Sequence, residues 1–96
     1  MTNDIEFNLI LNNYIEEMKN MEKKIIEFKD LLSGMSYFNA AEKDWFKETK
    51  DRNKCRKRLQ TVAKELVSNG MKKEDLNQIV EKGNYMVCKL DYGFKE

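Results

Sequence analysis

Ninety-six residues make a single domain, 1–96, whose 41% apolar and 36% charged content fits neither a disordered chain nor a membrane protein. Eighteen basic residues against 17 acidic ones leave a net charge of +1, which excludes a bulk polycation and an acidic mimic of nucleic acid. The chain has no proline and four glycines, so long uninterrupted helices are expected.

The first element has the clearest pattern. Phe7, Leu11, Tyr14, Met18, Met21, Ile25, Phe28 and Leu32 alternate at spacings of four and three, a heptad seam. Asn3 with Glu6 reads as a capping box, and Ser33-Gly34 as a stop. The pattern predicts helix 1 over 4–32, about 43 Å long. Ile10, Ile15, Ile26 and Leu31 widen its apolar face, which asks for more than one neighbour.

A turn is expected at 33–38, after which Asn39 and Glu42 form a second capping box. Helix 2 is predicted over 40–69. Leu59, Val62 and Leu66 continue the seam, and Gly70 is the stop in the left-handed position. Residues 47–54 lack an apolar side chain, but nothing there breaks a helix, so one continuous helix is expected. Helix 3 is predicted over 72–82, with Leu76, Ile79 and Val80 on its apolar edge and Gly83 at its end. The tail, 84–96, is β-prone and aromatic. It has three options: pairing with another copy, lying extended on the helices, or making a further turn.

The expected fold is therefore mostly α. It is an antiparallel long-helix hairpin with a short third helix and an extended C-terminal tail, dimerising into a helical bundle. The hairpin or dimer seam would comprise Leu11, Tyr14, Met18, Met21, Ile25, Phe28, Leu32, Arg52, Leu59, Val62 and Leu66. Arg52 would sit there as a polar layer with Glu48, fixing register. Arg56 would face Glu16 and Glu17 across a turn near residue 36.

The chain has no histidine, the commonest general base and metal ligand. It has no glycine-rich phosphate loop. Cys55 and Cys88 show neither zinc nor disulfide spacing, and no long apolar run or basic leader is present. The expectation is a non-enzyme with no cofactor and no metal, cytoplasmic, with reduced thiols. Cys55 lies among Lys54, Arg56, Lys57 and Arg58, which would lower a thiol pKa, yet a small seam residue is the simpler reading.

Two surfaces stand out. Between Lys47 and Arg58 there are seven basic residues and two acids. On a helix, Lys43, Lys47, Lys50, Lys54, Lys57 and Arg58 form one stripe, about 100° wide, away from the seam. It suits nucleic acid or an acidic partner, and its bland alternative is a solvated face. Tyr37, Phe38, Trp45 and Phe46 bracket the expected turn, either as a plug at the bundle tip or as an anchor for a protein partner.

These features predict a non-catalytic macromolecule-binding protein that forms a homodimer and engages a protein or nucleoprotein. A small regulator or inhibitor carried by a phage or mobile element is the expected kind, an anti-CRISPR-type antagonist being one case. The alternatives are a nucleic-acid-binding regulator using the basic stripe and a structural coiled-coil assembly protein. No membrane role is expected.

Overall fold

The structure, a computed structural model, describes residues 2–40 and 45–94, with side chains at 5–40 and 50–94. It is mostly helical. Three helices follow in order: α1 (Thr2–Ala40), α2 (Trp45–Ser68) and α3 (Lys73–Lys82). No strand occurs among the described residues. No described helix is long and apolar enough to cross a membrane.

The expected turn at 33–38 is not there. α1 runs on through Ser33 and Gly34 to Ala40, placing Asn39 inside α1 and not at the start of α2. The glycine serves close packing. A Cβ at Gly34 would lie 3.2 Å from Cys55 Sγ, so its absence lets α2 approach α1. The Cys55 thiol points to the Leu31 carbonyl at 3.5 Å, one turn before Gly34. Ser33 turns its hydroxyl back to the Lys29 carbonyl and does not cap.

Contacts between α1 and α2 run in opposite order along the two helices. Asn39 meets Arg52, Leu31 meets Cys55, Glu27 meets Arg58 and Lys24 meets Glu65. Arg56 is therefore level with the region of Leu31, roughly 20 Å along α1 from Glu16 and Glu17. The expected Arg56 pairing with those acids fails because α1 is eight residues longer than the seam implied. The Arg56 Nε is buried without a hydrogen-bond partner.

α2 is continuous through 47–54, as its sequence predicts. It ends as expected at Gly70, whose φ is +105°, while the Met71 N–H returns to the Leu66 carbonyl at 3.0 Å. At the end of α3 the left-handed residue is Asn84 (φ 53°); Gly83 has an ordinary helical φ.

The core joins Phe28, Leu32 and Met35 of α1 to Leu59, Val62, Ala63 and Leu66 of α2, Leu76 and Val80 of α3, and Tyr92. Tyr92 belongs to the tail, which folds back where a β-prone segment had been expected to extend. Residues 89–93 form turns, with the Asp91 N–H on the Cys88 carbonyl and the Phe94 N–H on the Lys89 carbonyl. The Tyr92 ring meets Phe28 edge-on at 6.0 Å, and its hydroxyl donates to the Asn77 side-chain carbonyl. A buried aromatic of this size contributes about 2–3 kcal/mol through apolar burial.

This core occupies only the second half of α1. The principal extents are 66 × 26 × 18 Å and the radius of gyration is 17.2 Å. A compact chain of this length would have a radius near 12 Å. The difference is the first half of α1, which projects from the body.

Candidate binding surfaces

The basic face is carried by α2. Its buried residues Leu59, Val62, Ala63 and Leu66 hold one side against α1, which turns Lys50, Lys54 and Lys57 outward, all exposed. Lys64, seven residues after Lys57, continues the same face and is also exposed. The dense cluster of cations ends at Arg58, and only the helical spacing marks Lys64. The four lysines fall within about 80° of helix circumference and extend over about 21 Å. None of the four forms an ion pair among the described residues.

Arg58 is placed differently from the rest of its predicted stripe. Its guanidinium grips the Glu27 carboxylate by two contacts, Nε–Oε1 at 2.6 Å and Nη2–Oε2 at 3.1 Å. The Arg58 hydrogen bond holds the Glu27 carboxyl below its ordinary pKa. Arg58 thus ties α2 to α1 and is not a free cation. Lys43 lies outside the described residues, as do the side chains of Lys47, Trp45, Phe46 and Glu48.

Of the aromatic group, Tyr37 is exposed and Phe38 half-buried, and their rings meet edge-on at 5.5 Å. They lie on the last turns of α1.

Arg52 leaves the expected seam layer for a polar node. Its Nε donates to Asn39 Oδ1 at 2.9 Å and its Nη2 reaches Asp91 Oδ1 at 3.4 Å. Asp91 is 3% exposed; its other oxygen accepts the Cys88 N–H at 2.9 Å. Beside the node the Met86 N–H donates to Ser36 Oγ at 2.8 Å, and Asn39 donates to the Met86 carbonyl. These bonds fasten the tail to the end of α1 and the start of α2. No signal in the sequence singled out Asp91, because its partners are 39 and 52 positions away.

Cys55 is half-buried and Cys88 exposed. Burial pushes the Cys55 pKa up, opposite to the lowering expected from its basic neighbours, which point to solvent or to α1. No group of three potential metal ligands occurs among the described residues.

The largest unexpected surface is apolar. Ile5, Phe7, Leu9, Ile10, Leu11, Tyr14, Ile15 and Met18 all lie on the projecting half of α1 and are exposed, Phe7 by 65% and Tyr14 by 61%. The heptad seam is therefore split. Phe28 and Leu32 are buried, Met21 and Ile25 lean on the core, and the first four seam residues are exposed outside it. No family model, curated protein or solved structure matches this chain.

Proposed function

We propose that this chain is a non-catalytic binding protein that engages an anionic macromolecular surface through Lys50, Lys54, Lys57 and Lys64. The observation that supports this reading is the continuity of the row: four exposed ammonium groups on one helix face with no ion-pair partner among the described residues. Cations that only solvate a helix are commonly interleaved with acids, whereas here Asp51 lies about 100° from Lys50 and Glu65, at the edge of the row, is drawn to Lys24 of α1. The row suits an acidic protein surface or a nucleoprotein. A small antagonist of a nucleic-acid-handling assembly, of the anti-CRISPR kind, would use such a row to occupy the surface it blocks.

A second reading is a nucleic-acid-binding regulator. The rise from Lys50 to Lys54 to Lys57 is about 6 and then about 4.5 Å, close enough to follow successive phosphates. Lysines in such a row would contact the phosphate backbone, leaving Asn53 at its edge as the exposed neighbouring amide that could reach a base.

The test is a titration of the wild type and of the triple variant Lys50→Glu/Lys54→Glu/Lys57→Glu against mixed-sequence DNA, mixed-sequence RNA and poly-glutamate. Binding by the wild type and loss in the variant, with helicity unchanged, is the expected result. A preference for poly-glutamate favours the protein surface, and a preference for DNA or RNA favours the second reading. Equal behaviour of the two proteins would remove the row from function.

A further inference from the structure

The projecting half of α1 has an internal symmetry. Phe7, Leu11, Tyr14 and Met18 are spaced by four, three and four residues, which reads the same from either end. The midpoint lies between Asn12 and Asn13. Ile10 and Ile15 are symmetrical about the same point.

We propose that this half of α1 is covered by the same half of a second copy, running antiparallel about a two-fold axis between Asn12 and Asn13. In that arrangement Phe7 comes level with Met18 of the second copy and Leu11 with Tyr14, while the two copies of Ile10 flank one edge of the seam and the two copies of Ile15 the other. Each seam contact occurs twice, as an isologous interface requires. The seam positions alternate as they do in antiparallel coiled coils, one class facing the other.

Charge selects this direction. Residues 2–18 contain Asp4, Glu6, Glu16 and Glu17 and no basic residue. Residues 19–24 contain Lys19, Lys23 and Lys24 with one acid, Glu22. An antiparallel copy brings the acidic end level with the basic segment at both ends. A parallel copy would set Asp4 and Glu6, and again Glu16 and Glu17, against the same acids of the second copy.

The body supplies the end of the seat. A groove between α1 and the end of α2 has Tyr14, Met18 and Met21 on its apolar side, with Glu17, Asn20, Lys24 and Asn69 at its polar edge. It continues the line of α2 where that helix stops, on the side of α1 that carries the seam. The segment that would enter it is the one around Phe7 and Leu11. That segment is apolar on most of its circumference, with Ile5, Leu9 and Ile10 exposed beside the seam. It therefore gains from walls on two sides, the facing helix and the end of the body. A longer overlap is blocked, because sliding by one heptad would set Phe7 against Ile25, which already packs on its own core.

The two readings are tested apart at Lys50, Lys54 and Lys57, which line no part of the groove, whereas Lys64 at the end of the row borders Lys24 and Asn69 and is left unchanged. The experiment has two arms. Light scattering should give a dimer for the wild type and a monomer for Leu11→Asp, with helicity of the body retained because Leu11 is exposed and lies outside the core. A wild type that is monomeric at about 100 μM, above the concentration at which a specific dimer of micromolar affinity forms, overturns the proposal, as does any other stoichiometry. In the second arm, spin labels are placed at Glu6, Asn13 or Lys19 in a Cys55→Ala/Cys88→Ser background. The distance between copies should be shortest at Asn13, while Glu6 and Lys19 each gain an axial separation of about 20 Å. Equal distances at the three sites would show a parallel pair and overturn the register. The triple lysine reversal should remain a dimer, so failure of one reading is visible apart from failure of the other.

Discussion

Arg52 and Asp91, 39 residues apart, meet at 3.4 Å and fasten the tail of the chain to the start of α2. Asp91 is nearly inaccessible, whereas the Arg52 side chain keeps a third of its surface in water. The pair is thus asymmetric. Removing the acid leaves the Cys88 N–H without its acceptor, while Arg52 turns to solvent. Asp91→Ala should destabilise the protein by about 2 kcal/mol. In a domain of this size that lowers Tm by roughly 10 °C, measurable by circular dichroism. An unchanged Tm would show that the tail is not held by this node.

Tyr92 is the tail's contribution to the core. Tyr92→Ala should cost about 4 kcal/mol through cavity formation, and Tyr92→Phe about 1 kcal/mol through the lost bond to Asn77. Urea titrations separate the two. Equal, small effects would mean that the three helices stand without the tail.

The pH dependence has opposite signs at the two ends of the scale. Glu27 has a lowered pKa because Arg58 bonds its ionised form. Its stabilising effect is full above the ordinary glutamate value, near 4.3, and is lost as pH falls through the lower folded value. The pair is exposed and screened by solvent, so the effect is small. Tyr92 has a raised pKa because burial disfavours the phenolate. Its stabilising effect is full below the ordinary tyrosine value, near 10, and is lost as pH rises through the folded value. Glu27→Gln should flatten the acid limb of a plot of Tm against pH, and Tyr92→Phe the alkaline limb. Identical limbs in wild type and variants would contradict both assignments.

The two thiols should separate kinetically. Cys88 is exposed, and Cys55 is half-buried with its pKa raised by burial. A chromogenic disulfide at pH 8 should find one fast thiol and one slower by more than about tenfold. Replacing Cys88 with Ser should remove the fast phase alone. A single phase for two thiols would mean that α2 does not rest on α1 at Gly34.

Much of the helical content was legible, because periodicity and the Gly70 stop act locally. The continuity of α2 through its polar centre followed from the absence of any breaker. The end of α1 did not follow. Ser33-Gly34 has the local chemistry of a stop, and only the proximity of Cys55 reveals that the glycine makes room for a neighbouring helix. That single misreading moved the expected partner of Arg56 by four turns. The inward turn of the tail was also hidden, since Tyr92 and Asp91 gain their roles from residues far away in the chain. Among the surface features, the spacing of Lys50, Lys54 and Lys57 located the basic face, whereas the pairing of Arg58 with Glu27 depended on the true register of the helices.

The central claim is that the lysine row binds an anionic macromolecule. Its most direct test is gel filtration with light scattering of the wild-type chain, alone and with mixed-sequence DNA, mixed-sequence RNA or poly-glutamate, at low and high salt. The account predicts co-elution with at least one of these at low salt and release at high salt. For duplex DNA held by four lysines, the logarithm of the binding constant should fall with the logarithm of salt at a slope of roughly −3.6. Elution unchanged by every polyanion at low salt would contradict the claim.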